Sequence, residues 1–194
     1  MGRWDPDARG RLERAALELF AEQGFADTTV PQITERAGLT TRTFFRYFAD
    51  KREVLFSGEE ELRERFIEII RTAPADLTPV QLIRHGLEAA AETIFQPLLE
   101  YLRTWRAIVG SDGALRERAL RKQELTIEAV LTVLRERGTD EPAAEMIAKL
   151  SNLVLQTAVG RWVAQPVAER PLVAFVEEVF EQLRSTVAGE PVHR

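Results

Sequence analysis

The segment Thr40-Thr41-Arg42-Thr43-Phe44-Phe45-Arg46-Tyr47-Phe48 sets aromatic and cationic side chains at helical spacing. Phe44 and Phe48 lie four residues apart and can face inward, while Arg42 and Arg46, also four apart, can share the outward face. An arginine fork can pair bidentately with guanine O6 and N7, which discriminates between bases by roughly 1–3 kcal/mol. Thr41 and Tyr47 carry hydroxyls able to donate to phosphate oxygens, and Lys51 adds a positive point charge for the nucleic-acid backbone. A helix that enters the major groove needs this division between a polar outer face and an apolar back. Taken alone, the same spacing also describes two core aromatics and a solvated pair of arginines.

Other chemistry is sparsely represented. There is no cysteine, so neither a disulfide framework nor a thiolate nucleophile or metal site can be built. The two histidines are His85 and His193, and no Gly-rich phosphate loop or metal-ligand spacing accompanies them. His85 is expected to be structural. Glu59-Glu60-Glu61 is a carboxylate run, but consecutive helical residues point in different directions, which suits a solvated face. An enzyme is therefore not expected, nor a metal or cofactor. No run of eighteen apolar residues offers a membrane span. Met1 to Gly10 lacks the apolar core of a secretory signal, and a cytoplasmic location is expected. The net charge of −5 does not oppose DNA binding, because it is unevenly spread. Residues 1–52 hold nine Lys and Arg against eight Asp and Glu, a net of +1, leaving −6 on the other 142. Positive charge is needed only where phosphate is met.

The elements that would position these residues are helical throughout. Leu12, Ala15, Ala16, Leu19 and Phe20 form one apolar stripe, with Asp5 and Pro6 suited to its start and Gly24 to its end. Thr29-Val30-Pro31-Gln32 reads as a capping box that opens a helix ending at Gly38. Thr40 can cap a third helix to about Phe48. Asp50, with Glu53 three residues on, can cap a fourth that runs to about Thr72 and connects two parts of the protein. Three short helices with a glycine in the second turn match the helix-turn-helix signature. Further helices are expected from Thr78-Pro79-Val80-Gln81 (a second capping box) to Phe95, from Leu98 to Val109 after Pro97, and from Ala114 to Arg137 with Leu120, Ile127, Leu131 and Leu134 on one side. Two more span Glu141 to Ala164 and Pro171 to Ala188. The expected fold is all-α with about nine helices: a helix-turn-helix domain over 1–50, and a larger domain over 51–194 that includes the connector 51–72.

Residues 12–55, with Phe25, Thr28-Thr29-Val30, Ile33, Ala37-Gly38-Leu39-Thr40, Thr43-Phe44-Phe45, Tyr47-Phe48, Lys51 and Leu55, resemble the N-terminal domain of the tetracycline-repressor-like (TetR) family. The resemblance implies a homodimeric transcription regulator, usually a repressor, with a C-terminal helical domain that binds an effector and dimerises. By position, the family's phosphate contacts fall on Thr29, Tyr47 and Lys51, and its base-reading positions on Thr41, Arg42 and Arg46, with Thr43 a further candidate. Two departures stand out. Phe45 replaces a frequent tyrosine and so lacks a phosphate-bonding hydroxyl. Pro31 stands where relatives place a polar or basic side chain, and it cannot donate a hydrogen bond. More of the specificity is therefore expected to rest on Arg42 and Arg46.

A two-fold dimer implies a palindromic operator. In the helix from Glu141, Ile147, Leu150, Leu153, Val154, Leu155, Ala158 and Trp162 spread around much of the circumference, suggesting burial on two sides, and Thr157 lies among them. Leu172, Val176, Val179, Phe180 and Leu183 of the last helix form a heptad-like seam for its copy, the alternative being burial within one chain. Phe66, Phe95, Tyr101, Trp105, Trp162 and Phe175 can line an apolar effector pocket, with Gln156 as an orienting polar group, or can be plain core. A small apolar or amphipathic effector is expected. The rival to a DNA regulator is a helical scaffold that has lost DNA binding.

Overall fold

The computed structural model describes residues 7–166 and 169–189, and Asp5, Pro6 and His193 lie outside them. Among the described residues the chain forms ten α-helices and no strand. They are α1 (Ala8–Gln23), α2 (Val30–Arg36), α3 (Thr41–Tyr47), α4 (Glu53–Phe56), α5 (Glu59–Thr72), α6 (Pro79–Ala90), α7 (Leu99–Ser111), α8 (Gly113–Glu136), α9 (Glu141–Val163) and α10 (Leu172–Ala188). Two compact units result, one of residues 1–60 with 103–120 and one of residues 61–102 with 121–194.

The first unit is built around α1, whose Leu12, Ala15, Ala16, Leu19 and Phe20 are buried as their spacing requires. They pack with Ile33 of α2, Phe44 of α3, Phe48, and Val54, Leu55 and Phe56 of α4. Ile108, Val109, Leu115 and Ala119 complete this core from the 103–120 segment. The helix starts follow from side-chain chemistry. Thr29 caps α2 in a reciprocal box with Gln32, whose Oε1 accepts the Thr29 N–H at 2.8 Å. Thr40 caps α3, its Oγ1 accepting from Thr43 N at 3.1 Å. Gly38 turns the chain between these helices with φ +63°, a left-handed value that other residues seldom adopt.

The single connector helix expected over 51–72 is instead interrupted. Asp50 Oδ1 does accept the Arg52 and Glu53 N–H groups, at 2.7 and 2.9 Å, and so opens a helix there. That helix lasts one turn as α4, and the chain restarts at Glu59 after Ser57 and Gly58. Ser57 Oγ donates to Glu13 Oε1 of α1 at 2.6 Å, a tie to α1 that accompanies the break.

In the second unit, Phe66, Ile67 and Ile70 of α5 pack with Leu82, Ile83 and Leu87 of α6. The same core takes in Val130, Val133 and Leu134 of α8, Val154, Ala158 and Trp162 of α9, and Leu172, Phe175, Val176 and Val179 of α10. A Cβ on Gly86 would stand 2.1 Å from Ile70 Cγ2, so glycine permits the close approach of α6 to α5. Arg137 donates to the carbonyls of Arg71, Ala73 and Pro74 and thereby satisfies the end of α5. The helix expected to continue from Thr78 to Phe95 leaves α geometry at Ala90, widens into a π-turn over Ala91–Phe95 and tightens to 3-10 over Gln96–Leu98. Pro97 is the cause: it has no N–H for the Thr93 carbonyl four residues back, and its ring would clash there. Arg65 Nη2 donates to that carbonyl instead, at 3.1 Å. On α8, Leu134 of the expected apolar side is buried and Ile127 and Leu131 pack half-buried against the core, whereas Leu120 is exposed and Leu115, Ala119, Val130 and Val133 are buried in addition.

Candidate nucleic-acid interface

The outward face of α3 is made by Thr41, Arg42, Phe45 and Arg46, all exposed. Its inward face is Phe44 at 0% and Phe48 at 1% exposure, their rings 5.3 Å apart, so the short helix is held from behind by two fully buried aromatics. Burying such side chains stabilises by about 1.5–3 kcal/mol each, enough to hold a seven-residue helix that would not persist alone. No acidic residue lies between Leu39 and Ala49. No carboxylate pairs with Arg42 or Arg46 among the described residues. Arg46 Nη2 donates to the Tyr47 hydroxyl at 2.9 Å, with the guanidinium 4.8 Å from that ring. The Tyr47 oxygen thus accepts, and its own proton stays available for a phosphate.

The other positions expected to touch DNA are engaged within the protein. Lys51 Nζ donates to the carbonyls of Phe25, Ala26 and Thr28 at 2.7, 3.1 and 2.8 Å, and sits 4.4 Å from the Phe25 ring centroid. An ammonium has three protons, so all three are used in tying the start of α4 to the loop before α2. Thr29 is exposed, but its hydroxyl donates to Gln32 Oε1 at 2.9 Å inside the capping box. Thr43 is half-buried, its Oγ1 2.9 Å from that of Thr40. Pro31 occupies the first turn of α2.

The frame behind this face is rigidly braced. Arg36 of α2 clamps Glu22 of α1 through two hydrogen bonds of 3.0 and 2.8 Å and also reaches Glu18 at 3.5 Å. These bonds hold the Glu22 carboxyl below the usual glutamate range and the Arg36 guanidinium above its own. Arg118 of α8 pairs with Asp50 and Glu53 and lies 5.5 Å from the Phe56 ring centroid.

Four of the aromatics expected around an effector, Phe66, Phe95, Trp162 and Phe175, share the core of the second unit. Trp162 is fully buried, and its Nε1 has no hydrogen-bond partner among the described residues. Gln156 is half-buried, and Tyr101 is exposed at 38%. Trp105 is elsewhere: it packs edge-on against Phe56 at 5.9 Å and donates to the Leu55 carbonyl at 2.9 Å, in the core of the first unit. Of the residues expected at a dimer seam, Leu172 and Val176 are at 0% exposure and Val179 at 6%, held in the core of their own chain. Phe180, Leu183 and Thr157 are half-buried, and Leu153 is 53% exposed. On α9, Met146, Leu150, Leu153, Thr157 and Gly160 follow heptad-like spacing without a charge; Met146 and Leu153 are exposed and the other three half-buried, and Met146 and Gly160 were not among the residues expected there. That spacing is visible in the sequence once the inward face of α9 is known.

The two braced helices, the tight turn at Gly38 and the presented α3 define a three-helix helix-turn-helix head. Residues 13–57 match the family described as bacterial regulatory proteins, tetR family. The chain is 33% identical over 146 residues to the HTH-type transcriptional regulator TcmR of Streptomyces glaucescens, covering 75% of this chain and 58% of that one. The chain thus spans less than two thirds of that relative's length. Among solved structures, a TetR-family regulator from Syntrophomonas wolfei superposes with a TM-score of 0.69 at 18% identity, covering 97% of this chain and 98% of the other. FadR of Thermus thermophilus, a TetR-family repressor solved with lauroyl-CoA, gives a TM-score of 0.55 at 27% identity, covering 96% of each chain. Residues 13–57 thus carry the match to the tetR family, and the remainder of the chain resembles regulators of that kind in fold.

Proposed function

We propose that the protein is a homodimeric, sequence-specific DNA-binding transcriptional regulator of the cytoplasm, a repressor that leaves its operator when a small effector binds in the larger unit. The observation that carries this reading is the α3 face: Thr41, Arg42, Phe45 and Arg46 are presented together on a helix anchored by Phe44 and Phe48, with no acidic residue between Leu39 and Ala49. Arg42 and Arg46 read base edges, Thr41 assists, and Tyr47 donates to phosphate. The DNA-reading part corresponds to residues 1–50 and the effector and dimer functions to 51–194. Selection from a random duplex pool tests it, followed by salt titration on the selected site. Binding should weaken steeply with salt, as counterion release demands. Arg42→Ala and Arg46→Ala should each relax base preference at one position per half-site; unchanged preference in both would refute the assignment.

Dimerisation is supported by the uncharged stripe of α9, joined by Phe180, Leu183 and the exposed Val187 of α10. Such a two-fold pair would set its recognition helices roughly 34–36 Å apart and read a palindrome. For the effector, two features favour an apolar or amphipathic molecule bearing one acceptor. Trp162 Nε1 is a buried donor that lacks a partner among the described residues, and a bound acceptor would satisfy it. The π-turn at Ala91–Phe95 belongs to the same core, and π-turns are frequent at functional sites. Lauroyl-CoA, bound to the Thermus thermophilus relative, has this character in its acyl thioester.

A further inference from the structure

Phe45 is 57% exposed in the middle of the α3 face. Phe45 offers an apolar ring without a hydroxyl on the same helix face as two arginines. Its ring is oriented by an edge-on contact with Phe44, centroids 5.4 Å apart and planes at 83°, so it is fixed on the buried anchor and does not trail in solvent. Phe45 lies four residues after Thr41 and three after Arg42, so its ring neighbours both on the helix surface, with Arg46 at the edge of the same exposed face. We infer that Phe45 is a specificity-determining residue that reads the C5-methyl group of a thymine in the major groove. The two cations select a polyanion, and the thymine methyl is the apolar group that base edges present in that groove.

The inference rests on the DNA-binding reading, and its test separates the two. The full chain is used to select an operator from random duplexes, and each thymine of the selected site is then replaced singly by deoxyuridine. Deoxyuridine keeps every hydrogen-bonding group and lacks the methyl. One thymine per half-site should show about a fourfold loss of affinity, the factor that one buried methyl group is worth. Phe45→Ala should bind the thymine operator less tightly and lose that discrimination, whereas Phe45→Tyr, which keeps the ring, should retain it. Thermal unfolding of both variants should match the parent, since the ring is largely exposed. If the parent binds its operator and tolerates deoxyuridine at every thymine, or if Phe45→Ala keeps the same discrimination, the inference is overturned while the DNA-binding reading stands. If no duplex is selected and Phe45 is instead needed for binding vesicles of phosphatidylglycerol, both are overturned in favour of a membrane-facing ring.

Discussion

Lys51 and Trp162 show how a side chain's partners, more than its type, set its role. With its three protons on the carbonyls of Phe25, Ala26 and Thr28, Lys51 is a brace of the head. Lys51→Ala is expected to lower stability by about 1–3 kcal/mol in chemical denaturation, because part-buried carbonyls lose a charged donor. Its effect on the salt slope of DNA binding should be nil. A slope reduced by about one phosphate, with stability unchanged, would instead make Lys51 a backbone contact. Trp162 presents the converse case, a donor with no acceptor among the described residues. Trp162→Phe removes the N–H and keeps only a single six-membered ring, so the fold should persist at a cost from the small cavity left behind. The shift in melting temperature on adding lauroyl-CoA should shrink in the variant; an undiminished shift would remove Trp162 from the effector site.

At the scale of the helix, two contacts can be probed by single changes. Gly86 faces Ile70 at a separation that admits no Cβ, so Gly86→Ala overpacks the α5–α6 contact. The expected cost is about 1–3 kcal/mol in denaturant unfolding, outweighing the gain in helix propensity of roughly 1 kcal/mol. A stabilised variant would mean that the two helices move apart freely. The clamp between α1 and α2 should register as pH dependence. Hydrogen bonds from Arg36, first among the causes, lower the Glu22 carboxyl, so its folded form binds a proton less readily than its unfolded form. The stability it contributes is complete above the ordinary glutamate range and is lost as pH falls through the lower folded value. Parent and Arg36→Ala should therefore differ in melting temperature near neutrality and converge on acidification, by a small amount because the pair is exposed.

For the whole molecule, the division between the units falls within α5, α7 and α8, so three helices carry chain across it. We propose that effector control passes along these three helices. It still requires an effector that binds two states with different affinity. The dimer proposal is tested at Leu153, which is exposed in the chain and central to the uncharged stripe of α9. Leu153→Glu is expected to sediment as a monomer at micromolar concentration with its helical content intact. Operator affinity should fall with it, since each half-site would then be bound singly. A dimer that survives this change would move the interface off α9.

The all-α character, the helix starts at Thr29, Thr40 and Thr78, the turn at Gly38 and the inward pair Phe44 and Phe48 were legible in the sequence. Caps, left-handed turns and the 3.6-residue period are settled by residues within a few positions of one another, so local chemistry determines them. Tertiary structure decided which apolar and charged groups were already engaged. Lys51 is tied to residues 23 to 26 positions away, Trp105 to a carbonyl 50 away, and Ser57 to a carboxylate 44 away. Leu172 and Val176 fill the core of their own chain for the same reason. Periodicity marks a face as apolar without saying what covers it, and that depends on contacts distant in sequence. What stays exposed after folding, the α3 face with Phe45, Arg42 and Arg46 and the Met146 and Leu153 side chains of α9, is where the proposed functions lie.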